Sequence, residues 1–328
     1  MTADRALKKR VRARMSRTGE SYTAALRHLR STPGDTVPTQ PITPDPTNAT
    51  DPTTDRALRL ATAQTTPQHH PSDADAFHCA GEEVRSLMRR AGDLGADLIQ
   101  FPEATLSFPD KVALSRSSEE ITESEWTRFA WDALEAELAE VRAAAKELAL
   151  WTVIGSQTRA QGASRPRTSL LVIDPQGRVH AQYDERRLSR TKGAFMYEQG
   201  TEAVTISIHG IVLGLASGLE VLFEDVFRGY EDAGADAVLL CSQGPGDPVE
   251  GDAFAISARA AARHHGLSIG YSVPTSNAPY APAGVIGPDG RWLAICPAQQ
   301  SPAVVVQTIA RRPGGASRDW RRAMVDAD

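Results

Sequence analysis

One stretch limits what this chain can fold into more than any other: Gly210 to Arg228, GIVLGLASGLEVLFEDVFR. Ile211 to Ala216 is a run of apolar and small residues short enough for a buried strand, and Glu224 to Tyr230 opens a helical pattern with Phe227 facing inward. The join is Ser217-Gly218-Leu219-Glu220. A strand that turns sharply into a helix presents the residue at the turn to the space beyond the strand's end, where α/β hydrolytic enzymes place a nucleophile. Here that residue is Gly218, which has no side chain.

The surrounding pattern alternates strand and helix. Leu58 to Gln64 reads as a first strand, Ala74 to Ala91 as a helix with Phe77, Val84, Leu87 and Met88 inward, and Ala96 to Phe101 as a buried strand ending in Pro102-Glu103. Glu125 to Leu148 is predicted as one long helix, followed by strands at Trp151 to Ser156, Ser169 to Ile173 and Val179 to Tyr183, the last two joined by Pro175-Gln176-Gly177. Beyond the elbow come a strand at Ala237 to Cys241, a helix at Ala253 to His264, and strands at Leu267 to Val273, Gly284 to Ile286, Trp292 to Ile295 and Ala303 to Ile309. Pro288-Asp289-Gly290 marks a hairpin. The alternation predicts an α/β layered domain.

Six segments in order, GADLIQFPE (95 to 103), YD-x-x-x-L (183 to 188), the elbow, GADAVLLCSQ (234 to 243), ARAAARHHG (258 to 266) and AGVIGPDGR (283 to 291), resemble the nitrilase (carbon-nitrogen hydrolase) superfamily. The resemblance spans about residues 58 to 309 and implies a four-layer αββα sandwich that commonly pairs into an eight-layer homodimer. At the elbow, Gly210, Gly214, Leu215, Glu220, Phe223, Asp225 and Arg228 fall on the family pattern, and Gly218 falls on the nucleophilic cysteine. Such an amidase needs a thiol, a carboxylate to take its proton, and a lysine to stabilise the oxyanion. The resemblance puts Glu103 at the carboxylate. It puts Glu185 at the lysine, where a carboxylate repels a developing oxyanion and, close to Glu103, raises the pKa of at least one of the pair. The family's second glutamate has no clear match; Lys192, Gly193 and Ala194 lie in its neighbourhood.

The resemblance therefore implies a nitrilase fold without amidase or nitrilase activity, retained for binding or scaffolding. A cleft lined by Glu103, Glu185 and Glu220 would suit a small amine- or amide-bearing molecule. The alternative is a working carbon-nitrogen hydrolase with an unorthodox nucleophile, Cys241 at the end of the next strand being the candidate, although a strand-end cysteine is more often a small core residue. Ser217 faces away by strand alternation, and Lys192 is expected to be a bystander. No cofactor motif is present, and Glu103, Glu185 and Glu220 on separate elements give no metal-ligand spacing.

Residues 1–30 form a basic arm, with Leu7, Val11 and Met15 striping Lys8, Lys9, Arg10, Arg12 and Arg14, and a second short helical pattern follows through Tyr22, Leu26 and Leu29. A third reading makes this arm an adaptor for nucleic acid or a partner protein. Residues 31–56, with Pro33, Pro38, Pro41, Pro44, Pro46 and Pro52, are predicted to be an extended linker. The main domain is expected over 57–310 and a tail over 311–328. The net charge of -5 is small for this size and implies no global attraction to nucleic acid or an anionic membrane. Three widely spaced cysteines point to a reducing, cytoplasmic setting, and no apolar run reaches membrane-spanning length.

Overall fold

The computed structural model describes residues 57–117, 119–159, 162, 164–312, 320, 323 and 324. The basic arm and the linker expected over 1–56 lie outside the described residues, as does most of the 311–328 tail.

Among the described residues, twelve strands form two six-stranded mixed sheets. The first holds β1 (Ala57–Gln64), β2 (Leu98–Gln100), β3 (Trp151–Thr158), β4 (Arg167–Ile173), β5 (Val179–Asp184) and β12 (Ala303–Ala310), in the order β12-β1-β2-β3-β4-β5. The second runs β11-β10-β9-β8-β7-β6, from β6 (Thr205–Ile208), β7 (Ile211–Ser217), β8 (Ala237–Cys241), β9 (Ser268–Ser272), β10 (Gly284–Ile286) and β11 (Trp292–Ile295). From β12 inward the pairings are antiparallel, parallel, parallel, antiparallel and antiparallel, and from β6 inward they repeat that series. The second half of the domain therefore repeats the first.

Helices α1 (Ala74–Asp93) and α2 (Trp131–Glu147) cover the first sheet, and α3 (Glu224–Asp232) and α4 (Ala253–His265) cover the second. Leu58, Leu60, Leu98, Val153, Leu170, Leu213, Leu215 and Leu239 fill the layer between the sheets. The result is the four-layer αββα sandwich. α1 starts where the Asp73 carboxylate accepts from the N–H groups of Asp75 and Ala76. α4 ends at Gly266, whose φ of 63° provides the left-handed cap.

Three segments depart from the sequence expectation. The long helix predicted from Glu125 is broken: Trp126–Arg128 is a short 3-10 turn and Phe129 is extended, so α2 begins only at Trp131. The break lets Phe129 pack edge-on against Phe77 of α1 and lets Trp126 reach Tyr197. The edge strand β6 was not predicted; its four residues alternate exposed and buried, too short a run to stand out. Lys192–Met196 forms a single π-helical turn. Among the described residues no helix is long and apolar enough to cross a membrane.

Candidate functional site

The site is assembled at one end of the two sheets. β2 delivers Glu103 through a tight turn in which Ala104 takes a φ of 44°, uncommon for a residue with a side chain. Gly155 makes the turn possible, because a Cβ there would meet Ala104 N at 2.2 Å and Pro102 O at 2.5 Å. The turn is locked by Thr105 N–H donating to Gly155 O (3.0 Å), by Thr105 Oγ1–H donating to Pro102 O (2.6 Å), and by Gln243 donating to Glu103 O. Strain concentrated in this way beside a buried acid is typical of functional positions.

Glu185 follows β5 directly and is fixed on both sides of its peptide, donating to Thr168 O (3.0 Å) and accepting from Gly200 N–H (2.9 Å). Glu185 and Glu103 are both buried, at 1% and 3% exposure. Between them lies Lys192. Its ammonium donates to Glu103 Oε1 and to Glu185 Oε2, the latter at 2.7 Å. The sequence expectation of a bystander is therefore corrected: the π-helical turn, closed by Tyr197 N–H donating to Lys192 O (2.9 Å), aims this side chain into the carboxylate pair.

Gly218 completes the group from the second sheet. Its φ of +56° is in the left-handed region, and a Cβ built on it would lie 2.7 Å from Glu185 Oε1 and 2.9 Å from Glu103 Oε2. The open space expected at the elbow is thus occupied by two carboxylates. Glu185 Oε1 is buried and has no hydrogen-bond partner among the described residues.

Burial is the largest influence on Glu185 and raises its pKa; the Lys192 charge opposes this and the Glu103 charge adds to it. Burial would lower the Lys192 pKa, but the charges of Glu103 and Glu185 outweigh it and raise it, so the amine stays protonated. Tyr197 is also buried next to the group, and burial raises its hydroxyl pKa.

Glu220, expected in the same cleft, is turned elsewhere. It accepts from Tyr183 Oη (2.6 and 2.5 Å), Arg186 N–H (2.7 Å), Arg187 N–H (3.2 Å) and Ser217 N–H (2.8 Å). Because Tyr183 belongs to β5 and Glu220 follows β7, the bond ties one sheet to the other. Cys241 pairs in register with Ser217, yet its thiol is fully buried in the inter-sheet layer. Burial, followed by the Glu103 charge, raises its pKa and disfavours the thiolate. No hydrogen bond joins it to Glu103 among the described residues. Those residues also contain no group of three His, Cys, Asp or Glu that could hold a metal.

A family model for carbon-nitrogen hydrolases matches residues 59–318. The chain belongs to the carbon-nitrogen hydrolase family. A search of curated protein sequences returns no match. Solved structures share the fold. A cysteine-to-alanine mutant of the Nesterenkonia AN1 amidase, from the nitrilase superfamily, matches with a TM-score of 0.63 at 18% identity, over 82% of this chain and 96% of that chain. A glutamate-to-glutamine mutant of the amidase from Nesterenkonia sp. AN1, showing covalent addition of the acetamide moiety of fluoroacetamide at its active-site cysteine, matches at 0.61 and 18%, over 82% and 95%. Glutamine-dependent NAD+ synthetase from Acinetobacter baumannii matches at 0.61 and 13%, over 79% of this chain and 48% of that one. In this member of the family the two sheets and their helices form the nitrilase-type sandwich.

Sequence reasoning brought Glu103, Glu185 and Gly218 to one place but missed Lys192 and Tyr197. The available signal was charge balance: two carboxylates buried together at the ends of β2 and β5 require a cation, and Lys192 lies only seven residues beyond Glu185.

Proposed function

We propose that this member of the family does not hydrolyse amides or nitriles and serves instead in binding or scaffolding. The carrying observation is Gly218, at the elbow, with the Glu103 and Glu185 carboxylates in the volume its side chain would need. A mutant of the Nesterenkonia amidase shows covalent addition of the acetamide moiety of fluoroacetamide at its active-site cysteine; the family resemblance puts Gly218 at the nucleophilic cysteine of the elbow, and a hydrogen atom cannot attack a carbonyl. The ammonium of Lys192 remains in the site, so the cluster keeps one cation between two carboxylates in permuted positions. That permutation supports a site kept for its buried charge and not for acyl transfer. The same ammonium occupies the space in which an amine ligand would bind, which favours a scaffold over a receptor for a small amine.

The test is ammonia release from acetamide, acrylamide, butyramide and simple nitriles. The wild-type chain is expected to release none, and the triple variant Gly218→Cys, Glu185→Lys, Lys192→Glu to acquire slow turnover. Wild-type turnover abolished by Cys241→Ala would overturn the proposal in favour of a buried-thiol hydrolase.

The scaffold reading includes a homodimer, supported by exposed Leu222 and by Ile256 on α4, and a basic arm (1–30) on a linker (31–56) that recruits a protein or nucleic-acid partner. Free cysteines at 79, 241 and 296 suit a cytoplasmic setting. Light scattering of wild type and Ile256→Glu measures the dimer; equal monomer masses for both would remove it.

A further inference from the structure

A cavity of about 470 Å³ opens beside the break between Phe129 and α2, and its walls are held by the π-helical turn that carries Lys192. Trp126, Thr127, Trp131, Arg159, Ser164 and Arg165 line it. Its volume is in the range that holds a small organic molecule. The walls are built in advance. Trp126 Nε1–H donates to Met196 O (2.9 Å), and its ring packs 5.2 Å from that of Tyr197. Trp131 Nε1–H donates to Trp126 O (3.0 Å), and the two indoles lie 6.0 Å apart. Arg165 is clamped by both oxygens of Glu123 (2.6 Å each) and by Gly193 O and Ala194 O (2.9 and 2.8 Å).

The lining chemistry is one-sided. Among the described residues it contains two indole rings, a proline, two guanidinium groups and two hydroxyls, and no carboxylate. Glu123 already neutralises Arg165, but Arg159 is exposed, rests its guanidinium 4.7 Å above the Trp131 ring, and meets Glu135 only at 3.9 Å. Such a guanidinium can remain on the indole and turn its N–H fork to a second acceptor.

We propose that this cavity binds a planar aromatic carboxylate, its ring against Trp126 and Trp131 and its carboxylate on Arg159. The site stands independently of whether the elbow hydrolyses anything, and the probes contain no carbon-nitrogen bond, so failure of either idea is visible separately. Titration calorimetry of the full chain at low salt would compare naphthoate with naphthylmethanol, which is flat but uncharged, and cyclohexanecarboxylate, which is charged but not aromatic. Naphthoate is expected to bind with a Kd on the order of 0.1–1 mM, and each comparison compound about fivefold or more weakly. Arg159→Ala, an exposed truncation whose melting curve checks the fold, is expected to weaken naphthoate about fivefold and leave naphthylmethanol unchanged. Arg159→Glu should abolish naphthoate binding. No naphthoate binding, equal affinity for naphthoate and naphthylmethanol, or unchanged naphthoate affinity in both Arg159 variants would each overturn the assignment.

Discussion

Two buried glutamates at the same end of the domain, Glu220 and Glu185, are satisfied in opposite ways. Glu220 takes its hydrogen bonds from a phenol and from backbone N–H groups around it. Glu185 has one oxygen on the Lys192 ammonium and the other, without a hydrogen-bond partner among the described residues, facing Gly218. The first arrangement is complete and crosses from sheet to sheet, which is what a structural staple requires. The second depends on a single cation held by one turn of chain, and it shares that cation with Glu103. Burial alone does not distinguish a structural acid from a site acid; the saturation of its acceptors does.

The largest way to break the contrast is Lys192→Met. It leaves Glu103 and Glu185 buried together with no countercharge, and it should destabilise the domain by about 3–5 kcal/mol. A shifted urea midpoint would measure this, and adding Glu103→Gln and Glu185→Gln should recover most of the loss. A midpoint unchanged in the single variant would mean that the ammonium is not part of the cluster. Tyr183→Phe attacks the other acid. It removes one donor out of several, so the cost should be smaller, about 1–3 kcal/mol. If Tyr183→Phe proved the more damaging of the two, the assignment of staple and site would be reversed. Gly218→Ala should cost about 1–2 kcal/mol, because a side chain at a φ of +56° is strained and its methyl displaces both carboxylates. A neutral or stabilising result would show that the elbow still has room for a side chain.

The sandwich was legible because its signals repeat. The buried runs at 98–100, 211–217 and 237–241, the two hairpin turns at Pro175-Gln176-Gly177 and Pro288-Asp289-Gly290, and the inward stripe of α1 each point to the same layered architecture. The elbow was legible for a local reason: strand, sharp turn and helix are contiguous in the chain, so Gly218 could be placed without tertiary information. Lys192 could not. Its position depends on a π-helical turn whose residues, Lys-Gly-Ala-Phe-Met, carry no period, and on Arg165 from another loop holding Gly193 O and Ala194 O. The separation of Glu220 from Glu185 was hidden for the same reason, since it depends on Tyr183 crossing between sheets.

The finest discriminator between the two acids is pH. In an unfolded chain the Glu185 carboxyl titrates near 4.5, and in the fold burial pushes it up to about 8. Between those values the folded protein binds the extra proton, so this group's contribution to stability is fully present below pH 4.5 and is lost as pH rises through the folded value. Lys192 adds no slope there, because its raised pKa keeps it charged in both states up to its ordinary value of 10.5. Glu185→Gln fixes the neutral form. The difference in unfolding free energy, variant minus wild type, should therefore grow from pH 5 to pH 8, by no more than about 1.4 kcal/mol per pH unit. Denaturant titrations of both proteins at matched ionic strength would read it, and titrating groups outside the cluster cancel in the difference. A flat or falling difference would mean that Lys192 holds Glu185 ionised throughout, and that its free oxygen faces Gly218 as a full charge.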